Sequence, residues 1–97
     1  MNKRPFTYIL TNKRNGTLYI GVTTKLAQRV WQHINSITTG FTDNYHVKKL
    51  VYYEEHISIN ATITRKKCLK RWKREWKIAL IESLNPDWDD LFEKIIL

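Results

Sequence analysis

Four residues near the start of the chain carry the chemistry that phosphodiester cleavage requires: Tyr8, Tyr19, Arg29 and His33. Such a site needs a group to activate water, a cation to offset the charge developing on phosphate, and a proton for the leaving oxygen. A phenol, with an ordinary pKa of about 10, can move protons near neutral pH if nearby cations lower that value. Arginine offers a forked, permanently charged donor matched to phosphate oxygens. Histidine titrates near neutrality and can act as acid or base. A blander reading fits the same residues. Two tyrosines on a hairpin commonly pack, and an arginine and histidine one helical turn apart commonly face solvent.

Whether the four converge depends on the elements that carry them. Residues 6–11, FTYILT, are rich in aromatic and β-branched types and read as a strand. The loop 12–16, NKRNG, ends in Asn15-Gly16, a turn pair tolerant of positive φ. A second strand over 17–22, TLYIGV, then forms an antiparallel hairpin with the first. On it Tyr19 and Gly21 share one side, Leu18 and Ile20 the other. Gly21 has no Cβ, so it either lets something approach the sheet beside Tyr19 or simply permits a bend. Thr23 and Thr24 are both N-cap candidates for a helix reaching about Ile37, in which Leu26, Val30, Ile34 and Ile37 form an apolar stripe flanked by Arg29 and His33. After a polar connection over 38–47, a third strand is expected at 47–55, VKKLVYYEE, alternating less cleanly.

A second helix starts at Ser58 or Asn60 and runs through the basic stretch 65–77, RKKCLKRWKREWK. Projected at about 100° per residue, Thr62, Leu69, Trp72, Trp76, Ala79 and Leu80 fall on one side. That makes the tryptophans core anchors, with Lys66, Lys70, Lys73 and Lys77 in a neighbouring stripe. Arg65 lies within the apolar side and needs a carboxylate or a cleft for its guanidinium. A helix unbroken from 60 to 83 is long for this chain, so a break is expected near Trp72 or Lys73. Asn85-Pro86 stops it, and Pro86 suits the first turn of a short terminal helix with Asp87, Asp89 and Asp90 at its positive end. Trp88, Leu91, Phe92 and Ile95 fold this tail onto the core. Trp31 is expected to pack beneath a neighbour, and the lone Cys68 to be buried and inert.

With 97 residues, 42% of them hydrophobic, and little Gly or Pro, the chain fits one domain over 1–97. The fold class is α+β: a small three-stranded antiparallel sheet flanked by helices. A single cysteine excludes an internal disulfide and a four-cysteine zinc site. The opening MNKRPFTYIL lacks the features of a secretory signal, and no apolar run approaches the roughly 20 residues of a membrane-spanning helix. A cytoplasmic location with no membrane partner is expected. The net charge of +8 is concentrated: residues 65–77 hold eight basic residues and one acid, leaving +1 for all the rest. Such a patch favours an anionic partner, nucleic acid first, although a protein partner or a solvated lysine-rich face fits the same charge. Arg65, Lys66, Lys70, Lys73 and Lys77 are the candidate nucleic-acid-binding residues.

The ordered set of motifs resembles the GIY-YIG nuclease superfamily, and within it the small single-domain bacterial UPF0213 family. Phe6-Thr7-Tyr8 corresponds to the first motif, with the tyrosine kept and the glycine and isoleucine replaced; Tyr19-Ile20-Gly21 matches the second in all three letters. Arg29 falls on the family's helix arginine and His33 on its tyrosine-or-histidine position. The stretches 48–55, KKLVYYEE, and 81–91, IESLNPDWDDL, also look like this branch. The resemblance implies a DNA endonuclease fold in which Tyr8 and Tyr19 position water or transfer protons, Arg29 clamps the phosphate, His33 is an auxiliary acid or base, and a glutamate holds Mg²⁺ or Mn²⁺. A further departure falls at the metal-ligand position. The branch has Arg-Glu-Lys where this chain has Arg65-Lys66-Lys67, so an ammonium replaces the carboxylate ligand and repels the cation. Glu55, at the end of the third strand, is the candidate substitute. The expectation is DNA binding with weak or absent Mg²⁺-dependent cleavage. The alternatives are a non-catalytic nucleic-acid-binding module and a protein-interaction module using the basic helix.

Overall fold

The computed structural model describes residues 4–36 and 45–96. The expected helix end at Ile37 and most of the 38–47 connection lie outside the described residues. β1 (Phe6–Thr11) and β2 (Leu18–Thr23) form the expected antiparallel hairpin, with Tyr8 opposite Gly21 and Leu10 opposite Tyr19. Asn15 takes a left-handed φ of 57°, and Asn12 Oδ1 accepts the Thr17 N–H at 3.0 Å to close the loop. α1 (Leu26–Ile34) follows, with Lys25 at its N-cap and no side-chain capping bond. Thr23 Oγ1 instead accepts the Lys25 N–H at 3.0 Å, so it shapes the turn into the helix.

β3 (Lys49–Glu55) pairs antiparallel with the free side of β1, giving the order β2-β1-β3. Its imperfect alternation has a physical cause. Ile9 pairs with Tyr52 but Leu10 pairs with Leu50, so Val51 is an extra residue, a bulge. The bulge lets Val51 and Tyr52 join one core while Leu50 joins the other.

The sheet carries apolar packing on both faces. On one, Tyr8, Leu10 and Leu50 pack with Leu26 and Val30 of α1 and with Leu91. On the other, Ile9, Ile20, Val51 and Tyr52 pack with Leu69 of α2 (Ile59–Arg71), Ile81 of α3 (Arg74–Leu84) and the fully buried Trp88. Ser58 caps α2, its Oγ accepting the Ala61 N–H at 3.1 Å. Between α2 and α3, Trp72 and Lys73 are extended, with ψ of 149° and 148°. This break re-phases α3, so Ile78 and Ile81 turn to the sheet, whereas Trp76 and Ala79 are exposed. Only Trp72 of the expected pair packs against the core, and it is half-buried. Trp31 and Cys68 are also exposed, against expectation; Cys68 sits one position round the helix from buried Leu69.

The terminal helix, α4 (Phe92–Ile95), begins well after Pro86 and adds Phe92 and Ile95 to the first face. Residues 85–91 are held as a loop along β3. Trp88 takes φ 57°, Asn85 Nδ2 donates to Val51 O and Asp89 O, and Asp90 Oδ1 accepts the Leu50 N–H at 3.3 Å and the Phe92 N–H at 3.0 Å. No described helix is long and apolar enough to cross a membrane.

Candidate functional site

Strand period and hairpin register put Tyr8, Tyr19 and Gly21 on the sheet face that α1 covers. His33 lies on the buried side of α1 and completes a three-ring cluster. Its ring centroid is 6.0 Å from that of Tyr8 and 5.5 Å from that of Tyr19; the two phenol rings are 6.4 Å apart. Tyr8 Oη and His33 Nε2 are hydrogen-bonded at 3.1 Å. Gly21 makes room for this arrangement, because a Cβ there would overlap Cζ and Oη of Tyr8. What comes close to the sheet beside Tyr19 is therefore the other tyrosine.

Burial divides the four residues into two pairs. Tyr8 is 1% exposed and His33 3%, whereas Tyr19 and Arg29 are only half-buried. Tyr19 and Arg29 each keep part of their surface open to solvent, whereas Tyr8 and His33 are enclosed. Burial pushes the Tyr8 phenol up to about 12; Tyr19 adds to the rise, and the Arg29 guanidinium opposes it without reversing it. The lowering expected from neighbouring cations is thus overridden at Tyr8. Burial also pushes His33 down to about 4, and the charge of Arg29 acts in the same direction. Near neutral pH the Tyr8–His33 hydrogen bond joins two uncharged groups.

Arg29 Nη1 donates to Gln32 Oε1 at 3.2 Å. Both line a shallow hollow of about 150 Å³ with Thr23, Thr24, Lys25 and Gln28, which contains two cations and no acid. Gln32 was absent from the expected site; its three-residue spacing from Arg29 on one helix was the available signal. Tyr19 also lines a second hollow, of about 340 Å³, with Leu18, Ile20, Lys70 and Lys77. Burial, then the charges of Arg74 and Lys70, hold the Lys77 ammonium below its usual range.

The remaining basic candidates are placed differently. Arg65 Nε donates to Glu54 Oε1 at 2.6 Å, and its guanidinium lies 5.1 Å from the Trp72 ring centroid. It has found the carboxylate its position demanded, which takes it out of the phosphate-binding set. Lys66 is half-buried, Lys70 and Lys73 are exposed, and Lys73 Nζ sits 5.6 Å from the Trp76 centroid.

These residues do not fit a divalent metal. Among the described residues, no group of three or more His, Cys, Asp or Glu could hold one. Glu54 is on the α2 side of the sheet, where it also accepts from Tyr52 Oη at 3.1 Å and lies 3.7 Å from His56 Nε2. Glu55 is not the substitute ligand. It pairs with Arg4 at 3.7 Å and lies opposite Phe6 on β3, while Tyr19 lies opposite Leu10 on β2. Four residues along the sheet and two strands across, their backbones are separated by on the order of 15 Å.

The hairpin phenols, the helix guanidinium and the β2-β1-β3 sheet define a small α+β domain with one cationic hollow beside Arg29 and another beside Tyr19. The GIY-YIG catalytic domain matches residues 4–79, and the chain belongs to that family. Its fold is similar to the solution NMR structure of the UPF0213 protein BH0048 from Bacillus halodurans, at 21% identity and a TM-score of 0.56, covering 90% of this chain and 92% of that one. The likeness is one of fold, and it includes the three-stranded antiparallel sheet with flanking helices that the motifs imply. No curated protein matches the sequence.

Proposed function

We propose that this GIY-YIG domain, acting as a single cytoplasmic unit, binds DNA through its phosphate backbone and hydrolyses it weakly or not at all. The backbone lies across Tyr19 and Arg29 and continues along Lys66, Lys70 and Lys77. The observation that carries this reading is the placement of Tyr19. It belongs at once to the ring cluster with Tyr8 and His33 and to the hollow with Lys70 and Lys77. A phosphate held by the Arg29 fork therefore has further cations along its path. Lys66 stands where the family carries its metal-binding glutamate, and contributes positive charge to phosphate in place of a metal ligand. Tyr8, raised to about 12, is a poor proton acceptor near neutral pH, so its part is to position Tyr19 and His33.

A gel-shift titration with a labelled duplex in Mg²⁺, followed by denaturing electrophoresis, tests both halves of the reading. The expected result is a shifted duplex with no accumulation of nicked strand, and binding weakened about tenfold by Arg29→Gln. Failure to shift the duplex at low salt would refute the binding. Efficient Mg²⁺-dependent nicking by the unaltered protein, lost in Arg29→Gln, would refute the loss of hydrolysis.

A further inference from the structure

Away from the Tyr19 and Arg29 hollows, the break between α2 and α3 builds another surface. Extended backbone at Trp72 and Lys73 brings the Trp72 and Trp76 rings edge to face, with centroids 6.1 Å apart and an interplanar angle of 84°. Each indole is braced by a cation, Trp72 by Arg65 and Trp76 by Lys73. Trp76 is nevertheless 51% exposed, leaving an aromatic surface open to water. The two rings line a hollow of about 500 Å³ with Thr64, Lys67, Cys68 and Arg71. Those four α2 residues recur at three- and four-residue spacing and so form one stripe, distinct from the side of α2 on which Lys70 borders Tyr19. The lining contains two cations and no carboxylate.

An indole surface with ammonium and guanidinium groups at its rim matches a ligand that is flat and aromatic at one end and anionic at the other. An unpaired nucleotide has that form, since its base stacks on an aromatic ring while its phosphate meets the cations. A blunt duplex keeps its base faces stacked inside, and an apolar helix has no use for the rim charges. The geometry points to a second nucleic-acid contact: the α2–α3 hollow takes an unpaired nucleotide, its base on Trp76 and its phosphate between Lys67 and Arg71. This rests on the reading of the chain as a nucleic-acid binder and adds the class of substrate, single-stranded or partly unpaired nucleic acid. Because α2 separates the hollow from the Tyr19 cleft, a junction between duplex and single strand can engage both.

Cys68 is the chain's one cysteine, and it is an exposed part of the hollow's wall. Its alkylation by N-ethylmaleimide, followed by mass on the unaltered protein, reports occupancy directly. A saturating short oligo(dT) is expected to slow alkylation at least about fivefold, and a blunt duplex to leave the rate unchanged. Trp76→Ala is expected to weaken oligo(dT) binding by roughly five- to a hundredfold while leaving duplex affinity intact; Trp76 is half exposed, so its loss leaves the core in place. If oligo(dT) binds without changing the Cys68 rate, or binds Trp76→Ala as tightly as the unaltered protein, the inference is overturned and the cleft reading stands. If oligo(dT) protects Cys68 but no duplex binds, the cleft reading fails and this one survives. Oligo(dT) that does not bind at low salt overturns the inference outright.

Discussion

His33 is packed against two phenols with 3% of its surface exposed, and its imidazole is held at about 4 against an ordinary 6.5. The folded state therefore binds this proton less readily than the unfolded chain does. Between those two values the unfolded chain is the more protonated, so stability rises with pH there. The contribution is complete above about pH 6.5 and is lost as pH falls toward 4, amounting to at most about 3 kcal/mol. Urea unfolding at pH 7 and pH 4.5 should show a drop in the unaltered protein that is substantially smaller in His33→Gln. Equal drops would mean that His33 is not the residue whose protonation opposes folding. The spacing of Tyr8, Tyr19, Arg29 and His33 was legible in the sequence because strand and helix periods are local. The need for Gly21 opposite Tyr8, and the rise rather than fall at the Tyr8 phenol, were not. Both depend on register and burial, which arise only when separate elements meet.

At the scale of elements, the hairpin, the Ser58 cap and the break at Trp72–Lys73 were legible from turn residues, capping chemistry and length. The re-phasing of α3 was not, because a projection through 60–83 assumes a continuous helix, and two extended residues reset the angle of everything beyond them. Trp76 went from expected anchor to exposed surface for that reason. The tail departs from expectation for a related reason. Pro86 is suited to a helix start, but the neighbouring Asn85 is 5% exposed and acts as a hub. Its Nδ2 donates to Val51 O at 3.1 Å and Asp89 O at 2.8 Å, while its Oδ1 accepts the Asp89 N–H at 3.0 Å. These bonds hold 85–91 against β3 and seat Trp88 in the core. Asn85→Ala should therefore cost about 2–4 kcal/mol, by loss of the bonds and exposure of unpaired backbone groups, read as a lower urea midpoint. A change within about 0.5 kcal/mol would show that water replaces the amide and that the loop is held by Trp88 alone.

At the scale of the whole molecule, the concentration of charge in 65–77 overstates what is available to a partner. Arg65 is engaged by Glu54, and Arg74 Nη2 donates to the carbonyls of Asn15 and Gly16 at 2.6 and 2.5 Å, tying α3 to the hairpin loop. Of the eight basic residues in the segment, these two serve the fold, and six remain on the surface or at the hollows. Sequence alone could not separate the two groups, since an arginine that braces a carboxylate and one that meets phosphate look alike in composition. The salt dependence of duplex binding can separate them. Each phosphate neutralised contributes about −0.9 to the slope of log K against log salt. Lys70→Gln and Lys77→Gln should each make that slope shallower by about 1. Arg65→Gln should leave the slope unchanged while lowering the unfolding midpoint, because it strands the half-buried Glu54 carboxylate without its closest cation. A slope that responds to Arg65→Gln and ignores both lysines would place the DNA on the opposite side of α2, away from Tyr19.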